Sequence, residues 1–248
     1  MAVATVDTLE KQKVFWLRVH AFATQTFIAI YFSVANALLV HYFDSSRLPW
    51  AYLASGVVGF LLGALYKRLI GRMPRSRVFG VTLVVIGVLA TLLTISGILT
   101  GAGGESDGTS LQKAIAFGVF IFASPFITLV GLESGGLSLS LLDLRQTKRL
   151  QARINMGATV ASIIGCFLMA GMVPRVFSNT LYMNFIALVG VVGAVATLMV
   201  IQRKFQLKEA APAKAKEGTK NAPDKGTFIK QRYTAVLGIT AFVSMVAF

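Results

Sequence analysis

The residue best placed to do chemistry is Glu133. Of the 10 acidic residues in the chain, it alone falls inside a long apolar run, about ten residues, or roughly 15 Å of helix, from the end of that run. Hydrocarbon solvates charge poorly, so a carboxylate at that depth must find a partner, hold a proton or face water. Each of these states is a functional one: ion pairing, proton coupling, or contact with a cationic group on a substrate. No lysine or arginine lies deep in any apolar run, and the sequence offers Glu133 no evident deep partner. Ser134, Gly135, Gly136, Ser138 and Ser140 follow it, small and polar enough to line a cavity. Pro125 precedes it and is expected to kink the same helix. A second polar set is Gln25, Ser33 and Asn36, whose spacings of eight and three residues fall on one side of a helix. That set reads either as interhelical hydrogen bonding or as the wall of a polar cavity.

Other chemistries find less. The only histidines, His20 and His41, are expected near opposite membrane faces. There is no HExxH, no nucleophile and base pair, and no second carboxylate at depth, so a membrane-embedded enzyme is not expected. Cys166 is the only cysteine, which leaves no disulfide framework and no CxxC metal site. Neither a cofactor nor a metal is expected.

The elements that must position these residues are membrane spans. The chain has 248 residues, 55% of them apolar and 14% charged, with a mean hydropathy of +0.71. That is too apolar for an ordinary soluble domain. A span needs about 20 apolar residues, and the chain holds six such runs, at about 15–43, 48–70, 78–101, 111–143, 153–173 and 180–201. The first could pass for a signal peptide with a small-residue site at Val34 to Ala37, but its apolar run is longer than a signal core and reads as a retained helix. Gly59-xxx-Gly63 in the second would let a neighbouring helix approach closely, and Gly157, Ala161 and Gly165 form a small-residue ridge on the fifth. The fold class is therefore all-α, a polytopic membrane protein. Residues 1–14 read as a cytoplasmic tail, 15–202 as a six-helix bundle and 203–232 as a basic disordered linker. Residues 233–248 read as the start of a seventh helix, with a second half to follow.

Charge sets the orientation. All of the 24 lysines and arginines except Arg47, Lys113 and Arg175 fall on one side of these spans. This positive-inside bias places the N-terminus in the cytoplasm, and a bacterial inner membrane is the expected location. The net charge of +14 thus reports topology and contact with anionic lipid of the cytoplasmic leaflet, not nucleic acid.

Six spans, a long basic linker and a further span resemble one half of a major facilitator superfamily transporter. The loop signature of that superfamily, G-x-x-x-D-R/K-x-G-R-R/K, is matched by Gly63, Arg68, Gly71 and Arg72, with Lys67 in the place of the acid and Gly71 one residue late. Two stretches, Leu48 to Phe79 and Leu141 to Gly165, are similar to the bacterial and plastid ATP/ADP translocase family, the second through its acid, basic pair and Gly-rich fifth helix. The resemblance implies alternating access at a site between two six-helix halves, of which this chain supplies the first. Nucleotide exchange in that family also implies cations inside the bundle, whereas here Asn36 stands in a region that tends to be charged and Arg18 lies near the cytoplasmic end.

Two functions are expected from this. In the first, the chain is the N-terminal half of a secondary transporter for nucleotides or another small metabolite. Gln25, Ser33, Asn36 and Glu133 then line the cavity. Lys67, Arg68, Arg72, Asp143 and Arg149 form a cytoplasmic gate, Asp143 pairing with Arg145, Arg149 or the basic loop. In the second, a transporter-derived fold serves as a non-transporting subunit or scaffold of a larger membrane complex.

Overall fold

The computed structural model describes residues 2–104, 108–176, 179–205 and 207. Six helices are long and apolar enough to cross a membrane, and no strand occurs among the described residues. They are α1 (Ala2–Tyr42), α2 (Leu48–Ile70), α3 (Arg75–Leu99), α4 (Ser110–Leu141), α5 (Leu144–Val176) and α6 (Met183–Lys204). The chain is an integral membrane protein of all-α class. Two boundaries differ most from those read in the sequence. The segment expected as a tail is helical from Ala2 and continues without a break into the first span, and α5 begins at Leu144, well before its apolar core. Both extensions are polar, so hydropathy marks only the part of each helix that hydrocarbon would cover. The basic linker beyond 207 and the seventh helix at 233–248 lie outside the described residues.

Local chemistry explains the helix ends. Pro49 stands in the first turn of α2 and Pro74 precedes α3, positions where a missing N–H costs nothing. Thr109 caps α4 by accepting from Gln112 N, and the Gln112 side chain returns to Thr109 N, a capping box that satisfies two otherwise orphan donors. At the end of α3, Gly101 adopts φ +72°. There Ala102 N donates to Gly97 O at 2.8 Å and Gly101 N to Ile98 O at 3.0 Å, the paired bonds by which a left-handed residue closes a helix.

Helix α4 runs unbroken through Pro125. Proline cannot donate to the carbonyl four residues earlier, and in a membrane that oxygen must be served by something else. Ser55 of α2, 1% exposed, donates its hydroxyl to Ile121 O at 2.9 Å. Ser55→Ala is therefore expected to cost about 1–3 kcal/mol, the usual penalty for a buried acceptor left unpaired. Adding Pro125→Ala restores the backbone donor, so the effect of Ser55→Ala should largely vanish in that background. Thermal unfolding of the four proteins in one detergent measures the coupling, and strict additivity would refute it.

Helix α1 is the centre of the bundle. It packs on α4, α5 and α6, while α4 packs in turn on α2 and α3, and α3 meets α6. Exchanging α1 with α4, α2 with α5 and α3 with α6 leaves this arrangement unchanged. Successive spans run in opposite directions, so the exchange relates two three-helix units of opposite orientation.

Glycine sets the distances along α1. A Cβ at Gly157 of α5 would collide with the backbone carbonyl of Arg18, and one at Gly165 would stand 3.0 Å from Ala29 Cβ. From the other side, a Cβ at Gly190 of α6 would lie 2.8 Å from both Ala23 O and Phe27 N. The small-residue ridge of α5 is thus a helix-packing seam. Gly59 and Gly63 of α2 make no such seam: Gly59 only touches Pro125 at ordinary distance and Gly63 faces open space. Beyond the seams, the buried rings of Phe27, Tyr31 and Phe126 pack at tilted angles with centroids 5.3 to 6.1 Å apart.

Candidate functional site

Glu133 is 0% exposed, and its partner is His20, itself 1% exposed. His20 Nε2 stands 3.0 Å from Glu133 Oε2, and His20 Nδ1 stands 3.0 Å from Thr197 Oγ1. Three helices, α1, α4 and α6, contribute one group each. This corrects the expectation of a carboxylate without a deep partner and of a histidine at the membrane face. Glu133 lies eight residues before the end of α4, about 12 Å of helix, and Thr197 seven residues before the end of α6. His20 was missed because α1 is helical from Ala2, so its depth cannot be read from where the apolar run begins. The available signal was a lone imidazole one helical turn before Thr24 on an otherwise apolar face.

The hydroxyl of Thr197 lies 2.9 Å from both Gly193 O and Ala194 O of its own helix. With its single proton directed there it accepts from His20 Nδ1–H, and a proton shared between Nε2 and Oε2 then makes the pair net neutral. With the hydroxyl turned to Nδ1, Nε2–H donates to the carboxylate. Glu133 Oε1 is buried without a hydrogen-bond partner among the described residues, and Tyr66 of α2 is close enough to interact electrostatically with the carboxylate.

A cavity of about 380 Å³ lies between α1, α4 and α5. Ala21 and Ser134, the chain neighbours of His20 and Glu133, are among its lining residues. Its polar groups are Thr24, Gln25, Ser134, Asn155, Thr159 and Ser162, with no ionised side chain among them. Gln25 Nε2 donates to Ser162 Oγ at 3.0 Å across the α1/α5 contact. Gln151, Asn155, Thr159 and Ser162 recur along α5 at helical spacing, forming a polar stripe on which Asn155 and Thr159 are exposed. Asn155 and Thr159 also line a second cleft of about 580 Å³ toward the basic end. Arg18 stands in that cleft, its Nε donating to Arg153 O at 2.9 Å. The stripe is visible in the sequence as polar residues at helical spacing.

The four expected cavity residues are not brought together. Gln25 lines the cavity and Glu133 does not. Ser33 and Asn36 donate to their own helix at Ala29 O and Phe32 O, at 2.7 Å each, and line no part of it. The expected gate is divided too. Arg149 pairs with Glu10 of α1 at 2.6 Å, not with Asp143, and Gln146 joins the same carboxylate at 3.1 Å. Asp143 starts α5 instead, its N–H donating to Gln146 Oε1 and its carbonyl accepting from Thr147 N. Lys67, Arg68 and Arg72 are exposed and belong to no hydrogen bond or ion pair with these groups among the described residues. What ties the basic end together is α1, since Lys13 also donates to Leu141 O at the last turn of α4.

No family model, no curated protein and no solved structure matches the chain.

Proposed function

We propose that this chain is the N-terminal six-helix half of a secondary-transporter-like membrane protein of major facilitator type, working by alternating access, with its basic end in the cytoplasm of a bacterial inner membrane. The observation that carries the reading is the polar face of α1, α4 and α5. Asn155 and Thr159 are exposed there, beside half-buried Gln25 and Ser162. Amides and hydroxyls at that depth are poorly placed against lipid and call for a facing protein surface or a wet cavity. The exchange symmetry of the two three-helix units supports it, because inverted units meeting at a midplane site are a common transporter construction. The His20–Glu133 pair, buried between α1, α4 and α6, supplies a single exchangeable proton suited to coupling. A lining of amides and hydroxyls, with Arg18 only in the neighbouring cleft, favours a polar small metabolite over a polyphosphate nucleotide in this half. The exposed lysines and arginines of the basic loops hold anionic lipid.

A second reading, a non-transporting subunit of a larger membrane complex, is favoured by the complete burial of the pair and by the bonds of Ser33 and Asn36 to their own helix. The same polar face would then be an interface. Cysteine accessibility separates the two. In a Cys166→Ser background, Thr159→Cys is expected to react with a membrane-impermeant maleimide in native membranes. Val189→Cys, at an α6 site 69% exposed on an apolar surface, should not react. Protection of Thr159→Cys until detergent extraction releases a companion protein would overturn the transport reading in favour of the subunit.

A further inference from the structure

The end of the bundle opposite the basic loops carries a different site. A cleft of about 770 Å³ lies where α1 ends and α2 and α4 begin. Arg47 and Lys113 stand on its rim with the hydroxyls of Ser46 and Ser110. The positive-inside bias leaves three basic residues on this side of the whole chain, so the convergence of two of them on one cleft is not a consequence of topology. They come from different elements, the short turn before α2 and the first turn of α4, so no single helix explains their meeting. Neither forms an ion pair among the described residues, and Asp44, three residues before Arg47, is exposed and meets it through its backbone carbonyl, which accepts from Arg47 N at 3.0 Å. Below this rim the cleft turns apolar. Leu39, Phe43 and Phe117 line it, the two rings 5.8 Å apart, and Trp50 beside them is 70% exposed.

Two cations and two hydroxyls above a greasy floor, with an indole at the level where spans end, match an anionic amphiphile. We infer that this cleft binds the phosphate headgroup of an anionic lipid in the leaflet opposite the basic loops, with the start of an acyl chain on Phe43 and Phe117. A free phosphate would use the same cations but would gain nothing from the apolar floor. The inference is independent of the transport reading.

Native mass spectrometry of the full chain, titrated with phosphatidylglycerol or with phosphatidylcholine of identical acyl chains, tests it. Arg47→Gln with Lys113→Gln is expected to weaken one phosphatidylglycerol adduct by about thirtyfold at low salt, from the roughly fivefold per cation that such attraction gives, and to leave phosphatidylcholine adducts unchanged. Lys67→Gln with Arg68→Gln should leave that adduct in place, and Arg47→Lys with Lys113→Arg should bind as wild type. An unmoved adduct in the double glutamine variant, or equal loss of both lipids, would overturn the site. Displacement of phosphatidylglycerol by millimolar inorganic phosphate would overturn the lipid assignment in favour of a soluble phosphate compound.

Discussion

Glu133→Gln is expected to leave the protein within about 1 kcal/mol of wild type, while Glu133→Ala and His20→Ala each lose roughly 3–5 kcal/mol, the cost of removing one member of a buried pair. The glutamine amide can donate to His20 Nε2 just as a protonated carboxyl does, so the contact at 3.0 Å survives. His20→Ala is the harsher change, because it takes away the partner of Oε2 when Oε1 already has none. The double alanine variant should be less destabilised than the sum of the singles, with a coupling of about 1–3 kcal/mol. Thermal unfolding of these variants in a single detergent reads the differences. If Glu133→Gln proved as damaging as Glu133→Ala, the proton-sharing arrangement with Thr197 would be wrong.

The second large effect is steric. Gly157→Ala drives a methyl into the carbonyl of Arg18, and Gly190→Ala places one 2.8 Å from backbone atoms of Ala23 and Phe27. A side chain could rotate away, but helix backbone cannot, so the seams on both sides of α1 must open. Overpacking of this kind costs about 1–3 kcal/mol, and more if α1 rotates, because His20 sits between the two contacts. Gly63→Ala and Gly56→Ala meet nothing within 4 Å and should be neutral, or stabilising by up to about 1 kcal/mol through helix propensity. The comparison is sharp because all four glycines lie in apolar helices. Equal thermal midpoints for Gly157→Ala and Gly63→Ala would show that α1 and α5 do not approach as closely as described.

Much of this architecture is determined residue by residue along the chain. Hydrocarbon thickness and the need to satisfy every backbone hydrogen bond act on each segment separately, so six spans, the basic end and the depth of Glu133 follow from local composition. The ridge at Gly157, Ala161 and Gly165 could be read as a packing face for the same reason, since its period is a property of one helix. What no single segment contains is the rotation of each helix about its axis, which close packing along α1 sets. That rotation brings His20 to Glu133 across 113 positions of sequence and turns Ser55 toward the carbonyl freed by Pro125. It also gives Arg149 to Glu10 instead of Asp143. Ser33 and Asn36 show the converse: their side chains satisfy themselves on their own helix, so a polar residue on the expected face need not line a cavity. The chain sequence determines which groups lie at which depth, and tertiary packing alone decides which of them meet, because depth is set by the bilayer and meeting by the rotation and close approach of the helices.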